Sequence, residues 1–250
     1  MEKRFLYHAQ AAGFSGRITL PFNDLIEVQS ASTLPVTGGY SAARVENFSY
    51  KQIASFASAA TLTTGSYDPA EKVYNTLVNA TVEKLNIMNQ VTVDLVSAHL
   101  TSKHTLEDSQ ASIIPLGSAF QNLRIGGCPV HVELDTAAFT EHDTYDRICA
   151  RLASDKEWRR AALHGQEEMP LPPPRGKLMC SLVKEVRTTC RELKVKGNVI
   201  VVPHFGTVYL GEYLIQPYAR NLTMIRVELG CPVNGAMTVA SISGDGEGYP

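Results

Sequence analysis

The sequence predicts a mainly β protein: an antiparallel β-sandwich or β-barrel with one amphipathic helix inserted at about 141–160. Three observations lead there. From Val195 to Ile242, short runs alternate apolar and polar residues between turn residues, the pattern of antiparallel strands with one buried face. Val130, Val132 and Leu134 repeat that alternation against His131, Glu133 and Asp135. A helix start followed by an apolar stripe stands out at one place, Thr140 to Leu152. Hydrophobic residues make up 44% of the 250, enough core for one large all-β domain or two smaller ones.

Taken in order, Phe5–His8 and Arg17–Leu20 read as short strands, Pro21–Asp24 as a turn and Leu25–Ser30 as a strand. Thr37-Gly38-Gly39 reads as a hairpin tip, because paired glycines supply positive φ. A long extended run follows from Ala43 to Thr64. Within it, Ala54–Ser66 is almost entirely Ala, Ser, Thr and Gly, broken by Phe56 and Leu62. Such small side chains admit a second sheet or a neighbouring subunit at close range, or else form a thin outer strand facing water. Val73–Met88 has apolar residues at helical spacing, but its Val, Thr and Asn favour strand. The reading is two strands, the second from Val91, joined at Asn86–Gln90, with a helix at 71–86 as the alternative. Ile113–Leu116 and Phe120–Ile125 are short strands.

The helix opens on Thr140-Glu141-His142-Asp143, which fits the S/T-x-x-D/E start, and carries Tyr145, Ile148, Cys149 and Leu152 at i, i+3, i+4 and i+7. Pro172, Pro173 and Pro174 then favour polyproline II: a semi-rigid spacer, or a docking peptide for a proline-recognising domain. This divides the chain into an N-terminal β-rich part (1–165), a Pro-rich connector (166–176) and C-terminal antiparallel strands (177–250) that complete the same globular unit. Residues 178–193 read as strand, with helix as the alternative. Lys196-Gly197-Asn198 and Pro203–Gly206 are turns, and Asn234-Gly235 is a two-residue hairpin signal. The tail from Gly244 has nothing in its composition to order it alone.

Gly-Cys-Pro-Val occurs twice, at 127–130 and 230–233, preceded by Arg124-Ile125 and Arg226-Val227. Glycine permits a bulge and proline removes a ladder donor, so each copy suits a strand end; duplicated halves or chance both account for the repeat. The wording of Asn122–Ile125, Gly206–Glu212 and Arg226–Val233 resembles a group of uncharacterised bacterial hypothetical proteins. That resemblance implies a bacterial source and no activity.

Charged residues are 19% of the chain and net charge is −2, so no basic excess points to nucleic acid or anionic lipid. The basic residues Arg147, Arg151, Lys156, Arg159 and Arg160 are interleaved with Asp143, Asp146, Asp155 and Glu157, as on a solvated helix face. No run is apolar enough for a membrane span and no signal-peptide core follows Met1, so the expectation is cytoplasmic. The five cysteines include no C-x-x-C pair and read as reduced and mostly buried, with a Cys128–Cys231 bridge as a lesser alternative.

No P-loop, G-x-G-x-x-G, G-x-S-x-G or H-E-x-x-H motif is present. His131, Glu133 and Asp135 share a strand face and would be weak metal ligands, needing another strand to complete a site. His131, Glu133 and His204 are the acid–base candidates if the protein is an enzyme. His99 and His104 flank a loop and read as surface residues. No cofactor is expected. The reading favoured is a structural or interaction protein, not an enzyme, whose partner is a further copy of itself. It assembles through sheet edges and through its termini, the interaction residues being Gly244, Asp245, Gly246, Glu247, Gly248, Tyr249 and Pro250. The alternative is a small-molecule-binding or hydrolase-like β-sandwich with a pocket near His131, Glu133 and His204.

Overall fold

A computed structural model of the chain describes residues 4–164, 168–230 and 232–249. In chain order its elements are β1 (Arg4–Leu20), β2 (Asp24–Thr33), β3 (Gly39–Tyr50), β4 (Ala54–Asp68), β5 (Val73–Ile87), β6 (Val91–His104), β7 (Ser112–Ile114), β8 (Ala119–Gln121), β9 (Arg124–Ile125), β10 (Cys128–Leu134), α1 (Thr136–Glu141), α2 (Tyr145–Ser154), α3 (Lys156–Leu163), β11 (Leu178–Ser181), β12 (Val183–Thr188), β13 (Lys194–Lys196), β14 (Val199–Val202), β15 (Gly206–Ile215), β16 (Ala219–Leu229) and β17 (Asn234–Tyr249). They form two antiparallel sheets packed face to face, a sandwich that does not close into a barrel.

Sheet 1 runs β13-β14-β15-β16-β17-β1-β2, with β11 also on β15; sheet 2 runs β12-β10-β9-β6-β5-β4-β3, with β7 and β8 also on β6. Strands from both sides of the Pro-rich stretch therefore share both sheets. The core lies between the inner faces. Phe14 and Ile18 of β1 and Val239 and Ile242 of β17 are buried there, as are Val78, Ala80 and Val82 of β5 and Val96, Ala98 and Leu100 of β6. The β5 residues recur at period two and pair with β6 in register, Val78 opposite Leu100, so 73–87 is strand.

The small residues of β4 let the sheets nearly touch. A Cβ at Gly13 on β1 would stand 2.9 Å from the Cβ of Ala59, and Ser30 Oγ of β2 lies 3.4 Å from Thr61 Oγ1. Bulk at these positions would wedge the sheets apart.

Several expectations are corrected. Ala43–Thr64 is not one run: Lys51 and Gln52 (φ 43° and 56°) turn β3 into β4, using a positive-φ hairpin without Gly or Asn. Thr37-Gly38-Gly39 tips no hairpin, because β2 and β3 belong to different sheets; it carries the chain across. Asn234 and Gly235 already lie in β17, after a connection at 230–233. The single helix is three short ones. Thr140 donates to Thr136 O inside α1, while Thr144 caps α2 and Asp155 caps α3, so the chain restarts twice. The stripe Tyr145, Ile148, Cys149 and Leu152 is buried.

The two Gly-Cys-Pro-Val copies differ. Gly127 is the second residue of the β9–β10 turn, with Cys128, Pro129 and Val130 in β10. The second copy fills the connection from β16 to β17, and Cys231 lies outside the described residues. Cys128 is bonded to Cys190, with Cα atoms 6.0 Å apart, which replaces both the all-reduced reading and the Cys128–Cys231 alternative. Pairing of β10 with β12, down to Val130 opposite Thr188, brings the two cysteines together. Cys149 and Cys180 are free and buried.

The tail is not loose. Gly244–Tyr249 is the end of β17 and pairs with Arg4–Ala9 of β1, so the chain's own N-terminal strand orders it. Pro250 lies outside the described residues.

Candidate functional site

The residues singled out in the sequence fall apart in space. His131 is exposed on β10, opposite Arg187. Glu133 bridges Lys184 (2.5 Å) and Arg187 (3.0 Å), and Lys184 holds its carboxyl below the usual carboxylate range. Asp135 accepts from Trp158 Nε1 at 2.8 Å. His204 is exposed in the β14–β15 turn of the other sheet. Among the described residues no three His, Cys, Asp or Glu side chains converge to hold a metal ion.

What the fold builds instead is a contrast between edges. β12 ends sheet 2 on one side and is guarded by charge: Lys184 and Arg187 both pair with Glu133, and Arg187 also with Glu185. β13 ends sheet 1 with only three residues, two of them lysines. The opposite edges, β2 and β3, lie beside each other without a ladder. They are clasped at one end where Asp24 accepts from Tyr50 (2.6 Å) and Lys51 (2.5 Å), with Lys51 Nζ 4.0 Å above the Phe22 ring. Those two donors hold the Asp24 carboxyl low. β3 is twelve residues long and pairs only with β4 among the described residues.

Next to β3, the middle rows of the outer face of sheet 2 are mostly uncharged, with Arg44, Glu46 and Glu83 toward one end and Lys103 toward the other. Cross-strand pairs set its rows: Ala42, Leu62, Asn79 and His99; then Tyr40, Thr64, Leu77 and Thr101; then Arg44, Ala60, Thr81 and Ser97. Asn79 Nδ2, Thr81 Oγ1 and Ser97 Oγ hydrogen-bond along the centre at 3.1–3.3 Å. Tyr40 is 76% exposed and Leu62 36%. His99 sits under Gly117 and Ser118, whose hydroxyl accepts from the His99 N–H at 3.0 Å, and burial lowers its imidazole from 6.5. His104, also read as a surface residue, is instead buried against Phe5, ring centres 5.2 Å apart.

A second feature lies on sheet 1. A cleft of about 550 Å³ runs between the end of α3 and the outer face of the β13–β14 hairpin, lined by Arg160, His164, Lys194, Val195, Lys196, Val199 and Val201. A smaller hollow of about 160 Å³ shares His164 and Val199 with it and reaches Met179 and Tyr209. Beyond Tyr209, Arg226 is fixed on Glu212 by two bonds of 2.7 Å and stacks 3.7 Å over the Tyr209 ring.

Sequence reasoning also missed Arg220, which is fully buried. Its Nη1 donates to the carbonyls of Gln216 and Ala219, pinning the turn between β15 and β16. Around it stand Tyr213, Tyr145, Cys149 and Cys180, and burial pushes the Tyr145 phenol and the Cys180 thiol up to about 12. These groups stay neutral at ordinary pH, so Arg220 acts as a structural pin held by carbonyls.

Residues 5–168 and 140–216 match the family described as Domain of unknown function (DUF8256). The chain belongs to that family. The description assigns it no activity. No curated protein and no solved structure matches the chain.

Proposed function

We propose that this DUF8256 chain is a structural or interaction protein that self-assembles, one copy meeting another at the β3 edge and the uncharged middle of the outer face of sheet 2 beside it. One observation carries this reading: β12 and β13 are short or densely charged, while β3 is twelve residues long, has no ladder on one side and, apart from its Arg44–Glu46 pair, presents Tyr40 and Ala42 beside Leu62. Exposed edges of that kind are templates for pairing, and a charge-poor face costs little to dehydrate. The tail is already paired with β1, so it gives this reading no support as a clasp.

Size-exclusion chromatography with light scattering tests it. Ala42→Lys with Leu62→Lys puts two like charges on an exposed cross-strand pair and leaves the core untouched. Wild type is expected at a multiple of 27.3 kDa and the double variant at one chain. A variant that keeps the wild-type mass sinks the proposed surface.

A further inference from the structure

We infer that the cleft between α3 and the β13–β14 hairpin binds a small amphiphilic anion: a carboxylate or phosphate head on a short apolar chain. Charge argues first. Arg160, Lys194 and Lys196 line it, and none of the three side chains makes an ion pair or hydrogen bond with a described residue. Three cations sharing one cleft repel each other, and an anion seated among them removes that repulsion. The floor argues second. Pairing sets Lys194 beside Val201 and Lys196 beside Val199 on one face of the hairpin, so each charge stands next to an aliphatic side chain. Val201 is 42% exposed. Lysines that merely guard an edge would need no such floor. The apolar path continues past Val199 to Met179, itself 42% exposed, which gives a chain somewhere to lie.

The rim is also built rather than loose. Gly197 (φ 58°) turns the hairpin, and a Cβ there would stand 2.4 Å from Nδ1 of His164 at the end of α3. The glycine lets the histidine ring lie against the hairpin tip, so the two walls meet directly at this end of the cleft. A cleft of about 550 Å³ suits a ligand of modest size. A polyanion fits less well, because the neighbouring hollow adds Glu157 and Glu168 to its lysine and arginines and the cationic field stops there.

The test is a titration of the purified chain with decanoate and with decyl phosphate, both below their micelle concentrations. Calorimetry and backbone amide shifts are the readouts, with decanol and inorganic phosphate as controls. One decyl anion should bind per chain, at least about tenfold more tightly than either control, with shifts centred on 160–164 and 194–201. Lys194→Glu with Lys196→Glu should weaken it at least about tenfold, and Val201→Ser should weaken it too; all three positions are exposed, and circular dichroism checks the fold. Preference for one head group supports the site and names its chemistry. Decyl anions no tighter than decanol, shifts centred elsewhere, or unchanged binding by the charge-reversed variant would each overturn the inference.

Discussion

A Cβ at position 206 would stand 2.0 Å from the carbonyl oxygen of Glu228, on a residue whose φ of 145° already disfavours a side chain. Gly206 therefore leaves room for the β16 backbone that no side chain would. Gly206→Ala should cost roughly 3 kcal/mol, read as a lower urea midpoint with an unchanged slope. His99 gives a pH prediction. Burial lowers its imidazole below 6.5, so as pH falls the unfolded chain takes up that proton before the folded chain does. Stability is therefore lost as pH drops through 6.5 and below, and His99→Asn should flatten that part of a Tm-versus-pH curve. A curve for the variant that is parallel to wild type throughout would contradict the burial argument.

Among the elements, the helices depend on their starts. Thr144 Oγ1 accepts from the Arg147 N–H and opens α2, so Thr144→Ala should remove about 1 kcal/mol in a denaturant titration. How legible each element was follows from how local its cause is. β15 and β16 alternate between core and water on either side of one phase shift each, at Leu210–Gly211 and Met224–Ile225; the strands are legible residue by residue, but the shift puts Tyr213 and Ile215, not Leu214, in the core. β1 looked like two short strands because its middle, Ala9 to Gly16, is small and weakly patterned; the sheets touch at Gly13, and the close approach removes the bulk that would have marked a strand. Thr140 misled as a cap because Thr144, four residues on, competes for the same role. The two surfaces were illegible for a plainer reason. The rows through Ala42, Leu62, Asn79 and His99, and the meeting of Arg160 with Lys194 and Lys196, exist only after distant strands pair.

At the level of the whole molecule, the two sheets are stitched by long-range pairings: β1 with β17, and β10 with β12. Cys128–Cys190 reinforces the second across a separation of 62 residues. By loop-closure entropy such a link is worth up to about 4 kcal/mol. Dithiothreitol should therefore lower the wild-type Tm while leaving Cys128→Ser unmoved; equal responses would remove the bridge from the account. The sandwich is then a braced body whose β12 and β13 edges are guarded by charge, and whose β3 edge is longer, with one ion pair, Arg44–Glu46, and one hydrogen bond from Ser30 on its unladdered side. Amide hydrogen exchange across a dilution series tests this most directly. Self-pairing predicts that the β3 amides left unused by β4 are protected at high protein concentration and exchange freely on dilution, while those of β5 stay protected throughout. If the unused β3 amides exchange freely at every concentration, the edge is bare in solution and the assembly reading is contradicted.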